Sequence, residues 1–305
     1  MAPAIWLVTG STSGIGAALV NHIVARGDKV IASGRKVEDR IGHLKSDNVA
    51  LLELDIAAGK SAVETQLKKA WSIFGHIDVL MNNAGMAAMS SVEDADDNYV
   101  NNLFQVNLFG QMHLTQAILP FFRAQGHGTI AFTSSGSGWM AIPLMSHYAM
   151  TKAALSTFAE SLHKEVSPLG IRAVAFDLGG YPTRLMEPRD AAPEHNPIAT
   201  SEAYKPLLGE LVGMFSTDPL GLMPGDPAKC ASTIFDVVKS EGVVTSRKWA
   251  VRVVLGSDCL DYAKVRREEE LKLLAIWEDV TISTDGRKYV PRSDIRKFIA
   301  LEGVE

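Results

Sequence analysis

Cysteine is scarce in this chain, its histidines are scattered, and no apolar run approaches the roughly 20 residues of a membrane span. Only Cys230 and Cys259 occur among 305 residues. Two such cysteines make neither a metal-ligand cluster nor a disulfide framework, so each is expected to be a small core residue. His22, His43, His76, His113, His127, His147, His163 and His195 show no paired-ligand spacing, which argues against metal catalysis. A large excess of one charge sign is missing too. Thirty Lys and Arg face 35 Asp and Glu, a formal net charge of −5, which argues against a nucleic-acid or anionic-membrane partner. The first residues, Met1 to Thr9, carry no basic lead and no long apolar stretch. No secretory leader is expected, and the location expected is cytoplasmic. Internal repeats and low-complexity segments are absent as well.

What is present is an alternation of short β-branched runs with helical patterns. Ile5–Thr9, Lys29–Ala32, Val49–Leu54, Ile77–Met81, Gly128–Ser134, Ile171–Phe176 and Ala250–Leu255 read as strands. The segment to Ala25, then Ala62–Phe74, Asn101–Arg123, Ser146–Val166 and Asp258–Trp277, reads as helices. Asp226-Pro227 supplies a cap and a first-turn proline for a further helix. Alternation of this kind predicts an α/β fold: one Rossmann-like, doubly wound parallel sheet with helices on both faces. Residues 1–279 are expected to form that domain, with 180–226 as a covering loop and 280–305 as a polar tail. Chemistry is sought at the carboxyl ends of the strands, where strand order reverses.

Thr9-Gly10-Ser11-Thr12-Ser13-Gly14-Ile15-Gly16 leaves the first strand and enters the first helix. Glycines there let the backbone turn tightly against a pyrophosphate, and a helix N-terminus offers free N–H groups. Gly10, Ser11, Ser13, Gly14, Ile15 and Gly16 are therefore candidate nucleotide contacts. The second strand ends in Ser33-Gly34-Arg35-Lys36, without the carboxylate that grips the adenosine ribose in NAD sites. Arg35 can pair with a 2′-phosphate in a forked geometry, which favours NADP(H). Asp55, beside Ile56 after the third strand, is either an acceptor for the adenine amino group or a loop cap.

Tyr148 and Lys152 lie four apart on a predicted helix and share one face. A phenol with a pKa near 10 is a weak acid–base group unless its anion is stabilised, and a neighbouring ammonium is expected to do that. The pair alone is a common accident; its company gives it weight. Ser134-Ser135 ends a strand just ahead of that helix, and a hydroxyl there can orient a substrate oxygen. Asn82-Asn83-Ala84-Gly85 ends the preceding strand as compact backbone, and Asn107 is an amide among apolar neighbours that needs a partner.

As an ordered set, Thr9–Gly16, Asn82–Gly85, Asn107, Ser135 and Tyr148–Lys152 resemble the motifs of the short-chain dehydrogenases/reductases, over about residues 5–185. The resemblance implies Tyr148 as the acid/base and Lys152 bonding the nicotinamide ribose and tuning it. Ser135 would position the carbonyl, and Asn107 would anchor a water in a proton relay. It further implies nucleotide contacts at Asn83, Ala84, Gly85, Tyr148, Lys152 and Thr183, and a homodimer or homotetramer built on the helices at 101–123 and 146–166. One departure stands out: Leu178 replaces the usual proline in Asp177-Leu178-Gly179-Gly180-Tyr181-Pro182-Thr183, so that loop is expected to be less rigid. Within the family the chain looks most like the 17β-hydroxysteroid-dehydrogenase-like enzymes and fungal reductases of secondary metabolism.

The expected activity is NADPH-dependent reduction of a bulky hydrophobic ketone or aldehyde. Its walls would come from Trp139, Met140, Ile142, Leu144, Met145, Tyr181, Leu185, Met186, Tyr204, Leu207, Met214 and Phe215. Two alternatives stay open: a non-catalytic NADP(H) sensor, and an NADP-binding fold used for non-redox chemistry such as cyclisation or dehydration.

Overall fold

The structure is a computed structural model describing residues 3–186, 201–217 and 222–300. Seven strands form one parallel sheet: β1 (Ile5–Thr9), β2 (Lys29–Gly34), β3 (Val49–Glu53), β4 (Val79–Asn82), β5 (Gly128–Ser135), β6 (Ile171–Leu178) and β7 (Arg252–Leu255). Their order across the sheet is β3-β2-β1-β4-β5-β6-β7. The chain therefore winds outward in one direction from β1 to β3, then returns to lay β4 on the other side of β1. The crevice above the β1/β4 boundary is the switch point at which such sheets take ligands. The doubly wound α/β fold read from the sequence is the one observed.

Apolar strands explain the layering. Every residue of β1 is buried, as expected where helices cover both faces. On one face α1 (Gly14–Ala25) and α8 (Pro227–Lys239) pack over Trp6, Val8, Val30 and Phe176. On the other, α3 (Lys60–Phe74), α5 (Gly110–Gln125) and α6 (Ser146–Val166) cover Leu7, Ile31, Leu80, Ile130 and Ala173. The α8 cap predicted at Asp226 is made: its Oδ1 accepts from the N–H groups of Ala228 and Lys229 at 2.8 and 3.2 Å.

Two regions differ from the sequence reading. The single helix expected over 101–123 is three pieces: α4 (Asp97–Phe104), a π-helical turn at Gln105–Phe109, and α5. The wider turn is invisible to a 3.6-residue periodicity, and such bulges occur mostly at functional sites. The tail also holds short helices, α10 (Glu278–Ile282) and α11 (Ser293–Ile299), after the long α9 (Ser257–Ile276). The remaining α-helices among the described residues are α2 (Val37–Ile41) and α7 (Lys205–Thr217). Among the described residues no helix is long and apolar enough to cross a membrane. Cys230 and Cys259 are core residues as expected; burial pushes each thiol up to about 12.

Candidate active site

An open cleft of about 810 Å³ lies over the β1/β4 switch point. Thr9, Gly10, Thr12, Gly34, Arg35 and Arg40 line one end, and Met86, Ala87 and Leu185 the other. Its floor admits backbone only. A Cβ on Gly16 would drive into the Gly10 carbonyl oxygen, and one on Gly10 would come within 2.8 Å of Ala84 Cα. A cradle this close, opening on the first turn of α1, fits the pyrophosphate of a dinucleotide. Thr183 lies against Gly14, so the loop after β6 closes over that helix end.

The nucleotide candidates separate into those facing the cleft and those supporting it. Gly10, Arg35, Asp55, Ile56, Ala84 and Gly85 line it. Ser13 precedes the helix in extended backbone, and its carbonyl accepts from Ala17. Ile15 is a core residue, available to a ligand through its backbone alone. Ser11 is turned inward: fully buried, its Oγ donates to Val8 O at 2.7 Å and accepts from Ser33 N at 3.2 Å. Its hydroxyl ties β1 to β2 and leaves the cleft to Thr12.

Asn83 is likewise committed to the protein. Its Nδ2 donates to Thr9 O and Gly10 O at 2.9 and 3.2 Å, and its Oδ1 accepts from Thr133 Oγ1 at 3.2 Å. Thr9, which the sequence reading passed over, accepts on Oγ1 from Asn83 N and Ala84 N. For Asp55 the loop-cap alternative is realised, since Oδ1 accepts from Ala57 N at 2.9 Å while the residue still lines the cleft. Arg40, also unforeseen, joins Arg35 at the charged end.

The catalytic candidates meet behind Met86, Ala87 and Leu185, the apolar residues of the other end. α6 carries Tyr148 and Lys152 on one buried face, 5% and 3% exposed. Ser135, which ends β5, stands near the Tyr148 phenol; its Oγ donates to Ser137 Oγ at 3.3 Å and accepts from Ser137 N at 3.2 Å. Lys152 Nζ donates to Thr133 O at 2.8 Å and stands 5.7 Å from the centre of the Tyr148 ring. Asn107, fully buried in the π turn, has the partners its setting demands. Its Nδ2 donates to Met86 O at 2.9 Å and Thr151 Oγ1 at 3.2 Å, and its Oδ1 accepts from Met86 N at 2.9 Å.

Electrostatics correct one expectation. The sequence suggested that Lys152 would lower the phenol's pKa. Burial instead is the largest influence on Tyr148 and raises it, with the nearby Ser135 hydroxyl pulling the other way. Burial also lowers Lys152 to about 8, against an upward pull from Asp177. Burial thus shifts both groups of this dry pocket toward their neutral forms, yet at neutral pH the phenol stays protonated and Lys152, at about 8, stays mainly an ammonium.

Apolar residues surround the phenol. Ala87, Tyr99 and Leu103 form a cluster with Tyr148, and Met86, Met145 and Leu185 pack on it. Of the expected walls, Met145 and Leu185 reach this cluster, and Met86 and Ala87 were missed. Leu144 is buried at φ 63°, a strained left-handed backbone for a branched side chain, and its carbonyl accepts from Ser90 N. Trp139 is no free wall. Its Nε1 donates to Asp177 Oδ2 at 2.8 Å, with the guanidiniums of Arg252 and Arg267 at 4.0 and 4.4 Å from its ring. Tyr181 packs against the α8 core, Leu207 and Met214 are exposed, and the side chains of Met186 and Phe215 lie outside the described residues.

The loop after β6 is better held than Leu178 led us to expect. Gly180 N donates to Asp258 Oδ2 at 2.6 Å, Gly179 N to Leu255 O at 2.8 Å, and Gly225 N to Gly180 O at 3.0 Å. A Cβ on Gly179 would collide with the Asp258 carboxylate, so tight packing replaces the stiffness of a proline. Farther along, Ser201 N donates to Asp94 Oδ2 and Tyr204 Oη to Glu93 Oε2, each at 2.7 Å.

Residues 4–194 match the family model described as short chain dehydrogenase. An oxidoreductase of the fungus Botryotinia fuckeliana, BOA17, is 30% identical over 263 residues, 85% of this chain and 91% of that one. The crystal structure of a short-chain dehydrogenase from Streptomyces avermitilis superposes with a TM-score of 0.81 at 30% identity, over 93% of this chain and 99% of that one. Two more distant structures share the fold. One, from Burkholderia phymatum in complex with NAD, has a TM-score of 0.73 at 18% identity over 95% and 98% of the two chains. The other, from Burkholderia cenocepacia in complex with NADP, has 0.65 at 23% over 90% and 96%. The chain belongs to the short-chain dehydrogenase/reductase family of oxidoreductases.

Proposed function

We propose that this oxidoreductase reduces a bulky, hydrophobic ketone or aldehyde with NADPH, using Tyr148 as the proton donor. The observation that carries the reading is one cleft with two unlike ends: Arg35 and Arg40 line one, and Met86, Ala87 and Leu185 line the other and pack in the apolar cluster that holds Tyr148. A bound nicotinamide would supply the hydride; binding, orientation and the proton fall to the chain. Gly10, Ala84 and Gly85 would hold the nucleotide, with Thr183 closing over it. Arg35 would take the 2′-phosphate, which supports NADP(H) over NAD(H).

As the substrate oxygen gains charge, Tyr148 Oη donates its proton to it while Ser135 Oγ hydrogen-bonds the same atom. Lys152, as an ammonium, stabilises the phenolate that remains. Asn107 holds the Met86 backbone and Thr151, which keeps the π turn and α6 in register beside the site. Met86, Ala87, Met145 and Leu185 favour an apolar substrate, and Met side chains adapt to irregular ones.

The likeness to the fungal oxidoreductase is the support for placing the chain near fungal reductases. Exposed Phe109 and Met150, at the end of the π turn that leads into α5 and on α6, support a homo-oligomer through those helices, to be checked by light scattering. We treat residues 1–279 as the catalytic unit, with 180–226 as its cover. The test is loss of absorbance at 340 nm with a ketone panel and either cofactor. Polycyclic or long-chain ketones with NADPH should be turned over fastest; faster turnover of small aliphatic carbonyls, or of NADH, would refute the reading.

A further inference from the structure

Asp177 closes β6 with 0% exposure, a setting in which a carboxylate is costly unless every lone pair finds a donor. It finds four. Oδ1 accepts from Ser156 Oγ at 2.7 Å; Oδ2 accepts from Trp139 Nε1 at 2.8 Å and from Arg252 Nε and Nη2 at 2.9 and 2.7 Å. Behind it, Arg252 Nη1 donates to Glu160 Oε1 at 3.2 Å.

From Asp177 a path of hydroxyls leads to the catalytic helix. Ser156 Oγ lies 2.7 Å from Ser134 Oγ, and Ser134 Oγ lies 3.0 Å from Lys152 O. Two hydroxyl protons serve three contacts here. Ser156 Oγ shares its proton between Asp177 Oδ1 and Ser134 Oγ, and Ser134 Oγ donates to the Lys152 carbonyl.

The surroundings of Lys152 are otherwise neutral. From its own helix comes the Tyr148 phenol, and from β5 the Thr133 carbonyl. Gly85, after β4, and Asn107, from the π turn, stand alongside. From β6 comes the Asp177 carboxylate, backed by Arg252 of β7 and Glu160 of α6.

We propose that Asp177 is a positioning residue for the proton-transfer site. It holds the Lys152 turn through Ser156 and Ser134, and it contributes the negative charge that keeps the buried Lys152 side chain an ammonium. The opposing pulls on Lys152, burial downward and Asp177 upward, agree with that assignment. The proposal rests on the reading that Lys152 works as a charged group, and it makes Arg252 a counterweight. Whatever weakens Asp177 lowers the lysine's pKa; whatever frees Asp177 raises it.

The test is a ¹³Cε-lysine NMR titration of the protein without cofactor, with the Lys152 signal assigned by Lys152→Met. Wild type should titrate near the value of about 8. Asp177→Asn should move the midpoint down by on the order of one unit, and Arg252→Gln should move it up. Damage to packing has no reason to produce opposite signs. Should neither fold, Glu160→Gln on a partly exposed residue gives a smaller downward shift, because it leaves Arg252 less compensated. An unmoved midpoint in the folded variants overturns the proposal, whatever happens to turnover. If the midpoint moves but the alkaline limb of NADPH-dependent reduction does not follow, Asp177 still supports the charge. The catalytic role given to Lys152 is then the part that fails.

Discussion

The two ends of the cleft use cations in opposite ways. At the recognition end Arg35 and Arg40 are exposed, on the turn after β2 and on α2. In the proposed reading these guanidiniums face the 2′-phosphate of the nucleotide. At the chemical end Lys152 is 3% exposed, its amine lowered to about 8 by burial. There the Asp177 carboxylate pulls against burial. The proposal gives binding to one end and proton transfer to the other, and burial is what separates them.

Several substitutions break or sharpen that contrast. The largest effect is expected from Gly16→Val, whose side chain must displace the Gly10 carbonyl. Nucleotide binding followed by fluorescence should weaken by ~10³-fold or more, on the order of 4 kcal/mol. Near-normal affinity would show that the cradle is misplaced. Ser135→Ala removes a hydrogen-bond donor aimed at developing charge, so kcat should fall about 100-fold with NADPH affinity unchanged. A defect confined to affinity would move Ser135 to the binding end.

Arg35→Glu should weaken NADPH by about 10- to 100-fold, the size of a lost charge-assisted contact, and leave NADH no worse. Equal losses for both cofactors would mean that the turn had collapsed instead. Next comes pH. Lys152 must be an ammonium to act, so reduction should be at plateau below, and decline as pH rises through, about 8. A limb near the ordinary lysine value of about 10.4 would contradict the burial argument. Last, Asp226→Ala touches neither end. It should cost about 1 kcal/mol through the lost α8 cap, a drop of ~2–4 °C in Tm, with kinetic constants unchanged.

How far the sequence reached follows from the range of each interaction. Tyr148 and Lys152 are one helical turn apart, and the Gly10–Gly16 loop is contiguous, so local pattern sufficed for both. Arg35 was singled out because a carboxylate was missing from a fixed place, and the fold puts it on the cleft. Partners that meet only through the fold were not. Thr9 joins Ala84 across 75 residues, Asp258 joins Gly180 across 78, and Arg252 joins Asp177 across 75. Their residue types occur throughout the chain, so nothing marked them. Ser11 shows the converse limit: it sits in the motif, but its hydroxyl faces the sheet. The π turn escaped because Asn107 fits an ordinary helical pattern equally well.

Most direct is a side-by-side measurement of NADPH affinity and single-turnover reduction in wild type and Tyr148→Phe. Affinity within about twofold and a rate lower by about 10³-fold would place the phenol in proton donation, as the buried end of the cleft requires. A variant that reduces its ketone at nearly the wild-type rate would contradict the account.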